Sequence, residues 1–206
     1  MVELLTLLAF LPAALALNLT PGADMMFVLA QGLKGGRAPA MAANAGISAG
    51  CMVNVAAAGL GLGAVVAALP GAFEVIRWGG VAYLLWLAVA TLRSGGPGQS
   101  KAKALSPGRA FRQALLVNVT NPKVILFILA FLPQFVDPSR AVLPQFLTLG
   151  VVLAFGGFLI NGAVGLGAGS LGLALTRSPR FARILSWVTA GIFGALAVRL
   201  AVMERA

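Results

Sequence analysis

The chain has 206 residues, of which 60% are hydrophobic and 10% charged, and its formal net charge is +10. A soluble domain carries about 25% charged residues, so this chain cannot cover itself in polar surface and its main solvent is lipid. Histidine is absent, acids number five, and the single cysteine is Cys51. That composition excludes an internal disulfide or dithiol relay and argues against a transition-metal site, so no metal or cofactor is expected.

Spanning a bilayer takes about 20 apolar residues. Six stretches qualify in chain order: 4–31, 38–69, 73–92, 110–132, 142–173 and 184–202. The first begins "MVELL", with no basic residue before its apolar run, so it reads as a retained helix rather than a signal peptide. The second and fifth are long enough to tilt or kink. Between the third and fourth lies "RSGGPGQSKAKALSPGR" (93–109), a Gly-, Pro- and Ser-rich basic stretch of linker composition. The expected organisation is one transmembrane domain, with a first half over 1–93, a linker over 94–108 and a second half over 109–206.

Basic residues set the expected orientation. The first, third and fifth connections hold Lys34, Arg37, Arg93, Lys101, Lys103, Arg109, Arg112, Arg177, Arg180 and Arg183, against only Arg77 and Arg140 in the second and fourth. Ten against two makes the odd connections cytoplasmic and both termini external. A re-entrant segment would reverse one terminus. The same rule accounts for the positive charge without a nucleic-acid partner.

The two halves share a pattern. "ALNLTPG" (16–22) matches "LVNVTNPK" (116–123), aligning Asn18 with Asn118 and Thr20 with Thr120, with proline following in each. Further on, "NVAAAGLGLGA" (54–64) matches "NGAVGLGAGS" (161–170), and Phe73 and Ile76 match Phe181 and Ile184. Three helices per copy make the second copy enter the membrane from the opposite side, as the loop charges also require. The predicted fold class is therefore all-α: a polytopic membrane bundle of six helices in two inverted three-helix repeats, each with a broken first helix. Such repeats mark secondary transporters, whose sites lie near the midplane at interrupted helices.

Pro21 lacks an N–H and displaces the carbonyl one turn back, and Gly22 adds backbone freedom. Groups freed this way are tolerated only against protein or a water-filled cavity. Asn18 and Thr20 can satisfy some of them, and the N-terminus of the segment that follows favours an anion. Asp24 sits beside this first break. The second break carries Asn118, Thr120, Asn121 and Pro122, and then Lys123, eleven residues after Arg112, or about 16 Å along a helix. Charges at that depth usually face a partner or a pathway, so Asp24 and Lys123 are expected to pair. Asn54 and Asn161 join the candidate site or bond between helices. The candidate substrate and proton site is thus Asn18, Thr20, Pro21, Gly22, Asp24, Asn54, Asn118, Thr120, Asn121, Pro122, Lys123 and Asn161. "GISAG" (46–50) reads as a close-packing stripe, Cys51 as a small packing residue, and Trp78, Tyr83, Trp86 and Trp187 as interface or packing aromatics.

These motifs resemble the LysE/RhtB amino-acid exporters of bacterial inner membranes. The likeness rests on "TPGAD" (20–24), the glycine-rich second segment, "NPK" (121–123) and "FLPQF" (131–135), and it covers essentially the whole chain. Ala23 departs from the family's usual proline. The resemblance implies efflux of amino acids or related small metabolites, generally proton-driven, by a multi-pass inner-membrane protein that is not an enzyme; a homo-oligomer is compatible with it. The competing reading is a non-transporting membrane scaffold or sensor, or an exporter of another small ion or metabolite. No P-loop of the form G-x-x-x-x-G-K-[ST] occurs.

Overall fold

The computed structural model describes residues 2–68, 72–93, 104–167 and 179–202. Regular structure among them is entirely helical. In order come α1 (Leu4–Leu19), α2 (Ala23–Gly35), α3 (Arg37–Ala68), α4 (Ala72–Arg93), α5 (Pro107–Val119), α6 (Pro122–Phe131), a 3-10 turn (Leu132–Phe135), α7 (Val142–Leu166) and α8 (Pro179–Val202). The apolar stretches of the sequence map onto these helices closely. Lys101, Lys103 and Arg177 lie outside the described residues, as do the side chains of Phe73, Ile76, Arg77, Arg180 and Phe181. The second half starts at Pro107, inside the stretch read as linker, because proline is preorganised for the first turn of a helix.

Polarity is reversed relative to a soluble protein. On α7, Val151, Phe155 and Leu159 recur every four residues and are exposed; on α1, Leu4, Leu5, Leu8, Leu11 and Leu15 are exposed. The buried set includes Gln31, Asn44, Asn118, Asn161 and Asp24. An apolar exterior around polar side chains is the arrangement lipid imposes. The regions Arg37–Gly61 and Val142–Leu166 are long and apolar enough to cross a membrane, and α1 with α2 and α5 with α6 qualify if each bent pair is one span. Trp78, Trp86 and Trp187 are exposed on this exterior, as expected of interface aromatics.

Each first helix is broken as the prolines require. The chain bends by 54° between α1 and α2 and by 50° between α5 and the segment that follows. A residue before proline is pushed out of the α region; Thr20 has ψ 115° and Asn121 has ψ 109°. Both threonines turn their hydroxyls back one turn: Thr20 Oγ1 donates to Ala16 O (2.6 Å) and Thr120 Oγ1 to Leu116 O (2.7 Å). Pro12, by contrast, lies within α1 without ending it. Between α2 and α3, Gly36 has φ +80°, a left-handed conformation that glycine adopts without penalty.

Helices α3 and α7 lie side by side, with α5 along α3, α2 against both, α1 against α7, and α4 paired with α8. Small residues set the spacing. A Cβ at Gly46 would overlap the Phe111 carbonyl, and one at Gly50 would sit 2.9 Å from Asn118 Cβ and Leu115 O. The "GISAG" stripe is therefore where α5 meets α3. On α7, Gly150 faces Val55, Gly157 faces Asn18 and Gly165 faces Val28. At the far end, Asp137 and Arg140 pair at 3.0 Å, and the turn is fastened by Gln145, which donates to Asp137 O and accepts from Asp137 N (2.9 Å each). Hydrogen bonds from Ser139, and then the Arg140 guanidinium, hold the Asp137 carboxyl below the usual carboxylate range.

Opposite effects of alanine are expected at two glycines of α3. Gly46→Ala overpacks the α3–α5 contact and should cost about 1–3 kcal/mol. Gly61 has open space around it, so Gly61→Ala should gain about 0.5–1 kcal/mol by removing a flexible residue from a helix. Thermal unfolding of both variants in detergent checks the signs.

Candidate functional site

Proline and glycine interrupt α1 at Thr20–Gly22, which releases carbonyls at the end of α1. Lys123, in the first turn of α6, reaches them: its Nζ donates to Leu17 O at 2.9 Å and Thr20 O at 2.8 Å. A cation at a helix C-terminus also complements the helix dipole. The ammonium lies so close to the first break that a Cβ on Gly22 would sit 3.3 Å from it. Inserting a lysine at mid-helix depth costs about 2.5–3.5 kcal/mol, and two charge-assisted bonds of about 1.5–3 kcal/mol each offset that cost.

Asp24 stands in the first turn of α2, whose N-cap, Gly22, has no side chain to offer the free N–H groups. A carboxylate is favoured at this positive end of a helix. Its Oδ2 accepts from Asn118 Nδ2 at 2.9 Å, which joins α2 to the end of α5. Asn54 Nδ2, from α3, donates to Asn118 O at 3.1 Å and so supports the second break. Asn121 caps α6 by accepting from Lys123 N at 3.0 Å.

The expected pairing of Asp24 with Lys123 takes a different form. They share a cavity, but the ammonium is held by carbonyls and the carboxylate by an amide. Each charge instead satisfies the opposite half of the chain: Lys123 the carbonyls of α1, Asp24 the amide of Asn118.

Leu17, Asn18, Thr20, Asp24, Ser48, Cys51, Asn118, Lys123, Leu153, Gly157 and Asn161 line a cavity of about 30 Å³. That admits a water or two and is far below the roughly 300 Å³ of a small-molecule pocket. Asp24 Oδ1 and Asn118 Oδ1, and the Asn121 Nδ2 donor beside them, are buried without a close hydrogen-bond partner, so the site keeps both accepting and donating capacity.

The twelve candidate residues divide. Asn18, Thr20, Asp24, Asn118, Lys123 and Asn161 line the cavity. Asn18 crosses to α7, donating to Leu153 O at 3.1 Å, rather than serving its own break. Asn54, Asn121, Pro21 and Gly22 shape and support the two breaks. Thr120 and Pro122 are exposed and face away from the cavity.

Residues 15–204 match the LysE type translocator family. The chain belongs to that family. Among its relatives is an uncharacterised membrane protein of Vibrio cholerae, 38% identical over 146 residues, covering 70% of this chain and 71% of the relative. A homoserine/homoserine lactone efflux protein of Salmonella typhimurium is 37% identical over 145 residues, covering 69% and 70%. A leucine efflux protein of Klebsiella pneumoniae is 36% identical over 139 residues, covering 65% and 64%. No solved structure matches.

Three residues at this cavity or its supports were not among the candidate site residues. Ser48 and Cys51 line the cavity from α3, and Tyr83 of α4 donates its hydroxyl to Lys123 O at 3.0 Å. Ser48 and Cys51 follow the helical stripe begun by Asn44, which could have flagged them. Nothing local distinguishes Tyr83, since its partner is forty residues away.

Lys123→Met should lower stability by about 3 kcal/mol, because it strands two buried carbonyls and a carboxylate. Adding Asp24→Asn should recover part of that loss by removing the remaining charge. Detergent melting curves of the two single variants and the double variant would show this coupling.

Proposed function

We propose that the chain is a secondary exporter of amino acids or closely related small metabolites across the bacterial inner membrane, working by proton antiport. The observation that carries this reading is the meeting of the two helix breaks at one buried acid and one half-buried base. Relatives that export homoserine and leucine support the substrate class.

In this mechanism a zwitterion binds between the breaks. Its ammonium meets the unpartnered Oδ1 atoms of Asp24 and Asn118. Its carboxylate lies toward the uncapped N-terminus of α2 and the Lys123 ammonium, which has one of its three donors left after binding Leu17 O and Thr20 O. Asn18, Thr20 and Asn161 complete the polar lining. Asp24 carries the proton, because among the described acids it lines the cavity, while Glu3 and Asp137 lie at the far end. A cavity of 30 Å³ represents a closed state, so binding requires the halves to separate.

The architecture proposed for this cycle is six spans in two inverted repeats, α1 to α4 and α5 to α8, with the site near the midplane. The paired bends, the matching threonine bonds and the charge alternation of the loops support it. Both termini are then periplasmic and the 93–109 stretch is cytoplasmic.

Vesicles preloaded with leucine or homoserine should release it on imposition of a pH gradient only when they contain the protein. Asp24→Asn should reduce release to that of protein-free vesicles while the variant still inserts and melts cooperatively; normal gradient-driven release would remove Asp24 from the proton path. Reporter fusions at the two ends test the orientation, and a cytoplasmic signal from either end contradicts six spans.

A further inference from the structure

A second, larger cavity of about 510 Å³ opens at the end of the molecule that carries the Asp137–Arg140 turn. Val2, Glu3, Thr6 and Ala9 of the α1 side line it, facing Gln134, Phe135 and Gln145. Two helices run from this vestibule to the central cavity. Ala9 lines the former and Leu17 the latter on α1, and Gln145 and Leu153 do the same on α7. Eight residues separate each pair, or about 12 Å.

Rings fill that interval. Phe10 is fully buried, and its ring lies edge-on to Phe135 at 5.3 Å and stacks on Phe131 at 6.5 Å. Phe131 and Phe135 are 5.0 Å apart, and Phe127 adds a fourth ring at 5.1 Å from Phe131. Phe131 and Phe135 are the two ends of "FLPQF". The 3-10 turn between them places both rings against α1, and Phe135 also lines the vestibule.

We propose that Phe10, Phe131 and Phe135 form a thin outer gate that separates the central site from the vestibule and opens by rotation of rings, ahead of any helix movement. The inference rests on the transport reading above. The contrast between the two ends supports it. Toward the α2–α3 turn the helices meet on glycines, with Gly46 on the Phe111 backbone, Gly165 on the Val28 side chain and Gly162 on the Asn44 amide; the Gly46 contact, backbone against backbone, parts only when whole helices move. At the other end α3 and α7 again meet on glycines, Gly150 on Val55 and Gly59 on Phe146, but the seal between α1 and the 3-10 turn is ring on ring, and side chains change rotamer far more readily than packed helices separate. The vestibule is large enough for an amino acid, and Glu3, Thr6 and Gln134 give it a polar lining. It is the compartment into which the gate discharges.

Cys51 lines the central cavity and is the only cysteine, so it reports access without engineering. Proteoliposomes are treated with a charged, membrane-impermeant methanethiosulfonate from each side in turn, with Cys51→Ser as the blank. Phe10→Ala and, independently, the half-buried Phe135→Ala should each speed labelling from the Asp137 side by about tenfold or more, since the rate follows the open fraction. Labelling from the opposite side should stay at the wild-type rate. Equal rates in wild type and well-folded variants, or a rise from both sides, would overturn the gate. Leucine and homoserine release is measured on the same vesicles: one-sided labelling without release supports the gate and removes the transport reading, whereas release with unchanged labelling does the reverse.

Discussion

The Lys123 ammonium on the carbonyls of Leu17 and Thr20 is the contact on which the rest of the structure depends. A helix cannot be broken within lipid unless its freed groups find partners. Here the partner comes from the other half of the chain, from the first turn of the helix that follows the second break. The reciprocal contact, Asn118 to Asp24, runs from the second half back to the first. Neither break is self-sufficient, so the halves are held together by the features that would otherwise make each unstable.

That cross-bracing explains how so much polarity is concentrated in one place. Asn18, Asn44, Asn54 and Asn118 each donate to a backbone carbonyl or a carboxylate on another helix. Glycines opposite them, Gly157 against Asn18 and Gly162 against Asn44, make room for an amide where a methyl would collide. Small residues and amides are therefore one device: the first lets helices approach, and the second bonds them once they have. The price is a cavity almost closed at rest, which binds cargo only if some contacts yield.

The contacts are not equally hard to undo. Backbone packing of α3 with α5 is stiff, while aromatic side chains seal the end near Asp137. The same physics that keeps lipid-exposed helices apolar leaves this end with few polar ties, apart from Gln145 and the Asp137–Arg140 turn.

Local chemistry made the helices and their breaks legible in the sequence alone. Apolar runs of span length can only be helices in lipid, proline removes a donor wherever it stands, and the residue before it leaves the α region, as Thr20 and Asn121 do. The two charges beside the breaks and the close-packing stripe at 46–50 were equally visible, because each follows from residue type and spacing. Partner choice was not. Asp24 and Lys123 have opposite charges, yet freed carbonyls and the Asn118 amide lay nearer, and that proximity depends on two bends and on how α5 nests against α3. Rotation about each helix axis likewise decided that Asn118 faces the cavity while Thr120 and Pro122 face outward, and it brought Tyr83 to Lys123 O. Composition and proline placement determine which groups need partners; only the packed bundle decides which partners they reach, because hydrogen bonds act over about 3 Å and that distance is set by helix packing, not by separation along the chain.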